Sequence, residues 1–327
     1  MKPFQFIQPT DVATAIRTQK EAGASFLAGG TNLVDLMKMG IANPDKLVDI
    51  GRLPLRAVEP LANGLRLGAL ATNSEVADHP EVLKNYPLLS LAINAGASPQ
   101  LRNMATTGGN LLQRTRCSYF FDLTMPCNKR VPGSGCGAID GINRMHAIFG
   151  ASDSCIAVNP SDMSVALRAL DAIVRVNGPS GERAIPMADF HRLPGNQPEL
   201  DNTLQKGELI VAVELPAPAF TRHVHYLKVR DRTSYAFALV SVAAALDLDI
   251  TNTIRDVRLA MGGVAHKPWR LSDAETFLKG KPATEDNFRQ AAQIAMQGAK
   301  AYKYNQFKLK LAPNAILQAL TAAVANA

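Results

Sequence analysis

Cys117, Cys127, Cys136 and Cys155 are the only cysteines of the chain, and all fall within 39 of its 327 residues. Thiols that merely filled a core would not gather in this way. Four thiolates can hold a [4Fe-4S] cluster, whose ligation tolerates wide spacing. They could also bind zinc, although zinc sites usually present Cys-x-x-Cys pairs and this chain has none. Two disulfides in an oxidising compartment are a third reading, and unrelated thiols a fourth. The residues alone leave all four open.

A second chemistry lies in two glycine turns. The first is Phe26-Leu27-Ala28-Gly29-Gly30-Thr31-Asn32-Leu33-Val34. The apolar run Ala24 to Ala28 reads as a buried strand, and Thr31-Asn32 can cap the helical pattern Leu33, Leu36, Met37. A strand, a glycine turn and a helix start suit a phosphate: glycine lets backbone N–H groups come close, and the helix terminus adds positive potential. One such turn carries little weight. A second, Ala105-Thr106-Thr107-Gly108-Gly109-Asn110-Leu111, lies just before the cysteine segment.

The surrounding pattern predicts the elements that position these groups. Helices are expected over 10–22, 72–78 and 81–95, and strands over 46–50 and 65–69. Ser98-Pro99 breaks the chain ahead of the second glycine turn. Residues 114–155 then lose periodicity. Such a long irregular loop needs something to organise it, and ligand bonds can replace a missing core. Tyr119, Phe120, Phe121 and Phe149 argue against disorder there. Regularity returns with a helix over 163–170, strands over 172–176 and 209–215, and a turn at Pro179-Ser180-Gly181-Glu182. Ala217-Pro218-Ala219 looks like a boundary. Beyond it, strands are expected over 225–230, 236–248 and 257–261, with 236–248 apolar enough to be buried on both faces. Helices follow over 272–279, 284–300 and 312–325. Alternation of the two periods predicts an α/β or mixed α+β fold.

Composition excludes some classes. With 47% hydrophobic and 19% charged residues, the chain reads as an ordinary globular protein. Net charge is +7, but no basic stripe is interleaved with aromatics, so no nucleic-acid face is expected. The apolar run Ala236 to Leu246 falls short of the ~20 residues that span a bilayer, so no membrane insertion is expected. Met1-Lys2-Pro3-Phe4 shows no secretory signal.

Taken together, the motifs resemble the FAD-binding subunit of molybdenum hydroxylases, the xanthine dehydrogenase family. Ala28-Gly29-Gly30-Thr31-Asn32-Leu33 is similar to the first flavin motif, and Thr106-Thr107-Gly108-Gly109-Asn110 to the second. Asn159-Pro160-Ser161-Asp162 resembles the family's Ser-Pro-x-Ser-Asp element. Tyr226-Leu227-Lys228-Val229-Arg230 and Gly262-Gly263-Val264-Ala265 resemble the C-terminal domain. Most of the family joins the second motif to the Asp element directly. The cysteine-bearing insertion here is similar to that of the flavoprotein subunits of bacterial periplasmic aldehyde oxidoreductase and of 4-hydroxybenzoyl-CoA reductase, and closer to the former.

The resemblance implies an α+β fold. Residues 1–219 would form an FAD-binding domain of the vanillyl-alcohol-oxidase (PCMH) type in two subdomains, with the insertion at 114–155. Residues 220–327 would form a smaller α+β domain of the CO dehydrogenase flavoprotein type. It implies FAD held by Phe26, Leu27, Ala28, Gly29, Gly30, Thr31, Asn32, Leu33, Val34, Ala97, Thr106, Gly109, Asn110, Asp162 and Lys228. It also implies a [4Fe-4S] cluster on Cys117, Cys127, Cys136 and Cys155. No residue is expected to act on substrate. That step would fall to a molybdenum-cofactor subunit, and a small [2Fe-2S] subunit would feed electrons through this FAD to an external acceptor, in a heterotrimer. An aromatic acyl-CoA reductase subunit and a stand-alone FAD oxidase are the alternatives, and a zinc-stabilised interaction protein a third. Against the oxidase, no His or Cys adjoins the glycine turns to anchor flavin covalently. The subgroup implies a periplasmic location through a partner's twin-arginine signal, with the cytoplasm as the other possibility.

Several residues carry a plainer reading as well. Asp162 would be a helix N-cap, and Lys228 an exposed strand lysine, rather than a cation tuning the flavin. Arg114, Arg116, Lys129 and Arg130 could balance the charge of a thiolate cluster, dock an acidic partner, or face solvent. His146 is expected to be structural rather than a ligand, and Trp269 to serve packing or an interface.

Overall fold

The computed structural model describes residues 1–326, and they build three sheets with helices between and around them. The first is parallel, in the order β1 (Gln5–Ile7), β3 (Lys46–Asp49), β2 (Ala24–Leu27). Parallel neighbours need crossovers. The helix Val12–Gln19, capped by Asp11, leads into β2, and the helix Leu33–Lys38 leads out of it toward β3.

The second sheet is antiparallel, in the order β4 (Val58–Leu61), β5 (Gly64–Gly68), β8 (Leu209–Pro216), β6 (Ile173–Gly178), β7 (Gly181–Pro186). Its inner face packs on the helices Pro87–Ala95 and Asp162–Ala169. The helix expected over 81–95 divides at Tyr86 into Pro80–Asn85 and Pro87–Ala95. Pro87 forces its predecessor out of the helical region, and Tyr86 adopts φ −136°, ψ 49°.

The third sheet runs β12 (Trp269–Arg270), β11 (Ile254–Gly262), β10 (Val240–Leu248), β9 (Val224–Val229), all antiparallel. As expected, β10 is buried on both faces. Ala243 and Ala245 join the core that contains Pro87–Ala95 and Asp162–Ala169. Val240, Val242, Ala244 and Leu246 face a core built with the helices Ser272–Leu278, Glu285–Ala295 and Lys308–Ala325. The strand begins four residues later than expected, and Ala236, Phe237 and Ala238 line a cavity instead.

The insertion has two single-turn helices, Ser118–Phe121 and Gly137–Asp140, and little other regular structure. Phe120 and Cys127 pack on Leu36 in a small cluster of their own, while Ile148 and Phe149 join the core of the third sheet. Trp269 is a packing residue, stacked on Phe149 with ring centroids 5.1 Å apart. No helix among the described residues is long and apolar enough to cross a membrane.

Candidate functional site

The two glycine turns touch. A Cβ on Gly29 would lie 1.8 Å from the Met104 carbonyl oxygen, so only glycine permits the approach. Gly30 sits at φ +72°, the left-handed region that the turn into the helix Leu33–Lys38 requires. The backbone amides of Gly30, Thr31 and Asn32 meet no acceptor among the described residues. Asn32 Nδ2 is buried without a partner, while its Oδ1 accepts from the Arg114 amide at 3.0 Å. In the second turn, the Gly109 amide donates to Thr106 Oγ1 at 3.2 Å.

These donors stand at the waist of a two-lobed cleft. One lobe, about 370 Å³, is lined by Phe26 to Leu33, Thr106 and Gly109. The other, about 410 Å³, is lined by Ala97, Asn110, Asp162 and Lys228. Thr31, Asn32 and Gly109 line both. A waist of unpaired donors between two chambers fits a molecule with two bulky ends joined by an anionic linker. Of the cofactor residues expected from sequence, Val34 alone lines neither lobe; its Cγ2 lies against Gly30. Neither lobe is lined by Cys or His.

At the far end, Lys228 Nζ donates to Asp162 Oδ2 at 2.8 Å and to the Ala95 carbonyl at 3.0 Å. Both side chains are buried, at 4% and 9% exposure, so Lys228 is not an exposed strand lysine. Nor is Asp162 the helix cap. Ser161 caps the helix Asp162–Ala169, accepting from the Ser164 amide at 3.0 Å. Asp162 also accepts from the Tyr226 hydroxyl at 2.8 Å. Burial, then the Asp162 charge, push Tyr226 well above its ordinary pKa, so it stays a neutral donor. Ala97 takes φ +50° on the wall of this lobe.

All four cysteines line one small cavity and none is in a disulfide. Cys127 and Cys136 face each other across an antiparallel bridge. Burial pushes the Cys117 thiol up to about 11. A hydrogen bond between Cys155 and Cys136 raises the former and lowers the latter. No three of the described His, Cys, Asp or Glu side chains converge as ligands of a single metal ion. His146 Nε2 lies 3.1 Å from Cys117 Sγ, and His266 Nε2 lies 3.3 Å from Cys155 Sγ. Sequence reasoning missed His266, whose one signal was its place directly after Gly262-Gly263-Val264-Ala265.

The basic residues of the insertion latch it in place. Arg114 Nε and Lys129 Nζ each donate to Asp201 at 2.6 Å, and Lys129 also to the Pro198 carbonyl at 2.7 Å. Arg130 donates to the carbonyls of Tyr119 at 2.9 Å and Phe120 at 2.8 Å. Lys129 is 3% exposed, which removes it from any docking patch. A cavity of about 360 Å³ separates the cysteines from the cleft. Cys117 and His146 form one wall and Asp162 another, and Arg116, Arg232 and Phe237 are shared with the Lys228 lobe.

Residues 2–218 match the family described as the FAD binding domain in molybdopterin dehydrogenase. Residues 225–322 match the CO dehydrogenase flavoprotein C-terminal domain. The chain belongs to the FAD-binding subunits of the molybdenum hydroxylase family. It is 49% identical to the aldehyde oxidoreductase FAD-binding subunit PaoB of Escherichia coli K12, over 100% of both chains. It is 30% identical to the glyceraldehyde dehydrogenase medium chain of Sulfolobus acidocaldarius, over 80% of this chain and 75% of that one. Among solved structures, carbon monoxide dehydrogenase from Hydrogenophaga pseudoflava superposes with a TM-score of 0.77 at 25% identity, covering 99% of this chain and 98% of that one. The family resemblance and the α+β fold read from the motifs are borne out.

For this flavoprotein subunit, two consequences follow from the geometry. Lys228→Met leaves the Asp162 carboxylate buried with only the Tyr226 hydroxyl donating to it. Removing one partner of a buried pair costs about 3–5 kcal/mol, and denaturant unfolding of the variant should show a loss of that size. A variant as stable as wild type would contradict the pairing. The second concerns Asp201. Burial alone would raise its carboxyl, yet Lys129 and Arg114 hold it below its ordinary value. Its contribution to stability is therefore complete above an unfolded-state pKa of about 3.9 and is lost as pH falls through the lowered native value. At pH 7, Asp201→Asn should cost about 2–3 kcal/mol, below the fully buried figure because the side chain is 25% exposed. The gap between variant and wild type should close in acid. A gap that stays constant from pH 7 down to pH 3 would refute the latch.

Proposed function

We propose that this chain is the FAD and [4Fe-4S] electron-transfer subunit of a molybdenum-containing aldehyde oxidoreductase, working beside a molybdenum-cofactor subunit and a small [2Fe-2S] subunit. The observation that carries the reading is the full-length, 49% likeness to an aldehyde oxidoreductase FAD-binding subunit. Bound FAD would supply the exchange of electrons between iron–sulfur centres and an external acceptor. The chain's own part is to hold and tune. The amides of Gly30, Thr31 and Asn32 and the orphaned Asn32 Nδ2 would bind the pyrophosphate. Lys228, braced by Asp162, would place a buried cation at the lobe opposite the Phe26 wall. Cys117, Cys127, Cys136 and Cys155 share one cavity and offer the four thiolates that a cluster takes. A lining free of Cys and His supports non-covalent flavin over a covalently anchored oxidase.

The purified complex provides the test. Its visible spectrum should show flavin bands above a broad iron–sulfur absorbance. Iron should exceed that of two [2Fe-2S] clusters by about four atoms per complex. Stoichiometric zinc, or disulfides among these four cysteines, would overturn the cluster assignment.

A further inference from the structure

Two imidazole nitrogens reach the cysteine sulfurs. His146 Nε2 stands 3.1 Å from Cys117 Sγ and His266 Nε2 stands 3.3 Å from Cys155 Sγ. Both residues are buried, and in both the Nδ1 atom has no partner. A sulfur bound to a cluster is a thiolate and can only accept, so on the cluster reading Nε2 carries the proton that points at it. Each imidazole is aimed by its backbone. The His146 carbonyl accepts from Lys308 Nζ at 2.9 Å and from Asn305 Nδ2 at 3.2 Å. The carbonyl of Ala265, next to His266, accepts from the Asn159 amide at 2.9 Å.

We propose that His146 and His266 are positioning residues for the iron–sulfur centre: each donates Nε2–H to one ligand sulfur, Cys117 and Cys155, and together they raise its reduction potential. The inference rests on the cluster reading above. Donors to sulfur withdraw electron density from the iron and favour the reduced state. Cys127 and Cys136 receive no histidine, so the four thiolates are unequal and Cys117 and Cys155 form the electron-poor pair. Lys308 opens the last helix, Asn305 lies in the turn before it, and His266 follows β11. Docking of the C-terminal region against the insertion therefore sets the potential as well as the packing.

The test is a potentiometric titration of the intact complex followed by EPR, on wild type, His146→Leu and His266→Leu, with His146→Gln and His266→Gln as donors of similar reach. Each leucine variant should lower the reduced-to-oxidised ratio of the additional cluster at fixed ambient potential about tenfold, the scale of one hydrogen bond to a charged group. Glutamine should restore part of it. An unchanged ratio at full iron content would overturn the proposal. Should the leucine variants fail to assemble, pulsed EPR of wild-type complex labelled with ¹⁵N-histidine still decides. Weak coupling to two histidine nitrogens supports the proposal; no coupling, or a strong coupling of direct ligation, overturns it. Iron no higher than that of the [2Fe-2S] subunit would remove the cluster reading itself, a different failure from a normal cluster at an unshifted potential.

Discussion

Cys117→Ser protein should assemble poorly, before any kinetic defect can be measured. Around its cysteines the insertion has little apolar core: Phe120 and Cys127 rest on Leu36, and only its end, at Ile148 and Phe149, joins the core of the third sheet. Between its ends, order comes from the Asp201 latch and from hydrogen bonds such as those of Arg130, and the proposed cluster would add bonds between the thiolates and a shared centre. In sites of this kind, ligand binding is folding free energy. Cys117 also precedes the turn Ser118–Phe121 and meets His146, so its loss releases both ends of the segment. The expected result is a several-fold or greater fall in assembled complex by size-exclusion chromatography, with proteolytic cleavage concentrated within 114–155. Wild-type yield and wild-type protease resistance, with the extra iron gone, would show that the cluster does not organise the insertion.

Gly29→Ala should yield flavin-free protein. Its new Cβ would fall 1.8 Å from the Met104 carbonyl oxygen and 2.7 Å from its carbon. These are backbone atoms and cannot rotate away. The two glycine turns must separate, and the waist they form between the lobes opens. The unpaired amides of Gly30, Thr31 and Asn32 then lose their convergence, which is what an anion needs from a backbone site. Flavin content of the purified variant, measured by absorbance after denaturation, should drop at least tenfold. Full flavin in folded Gly29→Ala protein would place the pyrophosphate elsewhere.

Much of this arrangement was legible in the sequence because it is local. Strand, Gly29-Gly30 and helix follow one another between Ala24 and Lys38, although the expected cap does not form because Asn32 Oδ1 accepts from the Arg114 amide instead, and the apolar run of β10 announced burial on both faces. The short strands β1, β4, β7 and β12 were not legible. Each is held by its neighbour in the sheet rather than by its own pattern. The split at Tyr86 was legible in principle, since Pro87 dictates it. The pairing of Lys228 with Asp162, 66 residues away, was not, nor was the meeting of His266 with Cys155 across 111 residues. Such contacts follow from packing β9 against the helix Pro87–Ala95 and β11 against the helix Asp162–Ala169, which no local spacing encodes. The buried Lys129 shows the same limit. Its sequence left open a counter-charge to a cluster, a docking contact or a solvated side chain, and only the distant Asp201 and Pro198 explain its position.

The central claim is that this subunit passes electrons out and takes no part in the first oxidation of substrate. Stopped-flow reduction of a flavin-free complex by an aldehyde tests it most directly. The account predicts that the molybdenum and [2Fe-2S] centres of the partner subunits are reduced as fast as in the intact complex, while steady-state turnover with flavin-dependent acceptors is lost. Reduction of those centres at a much slower rate would contradict it.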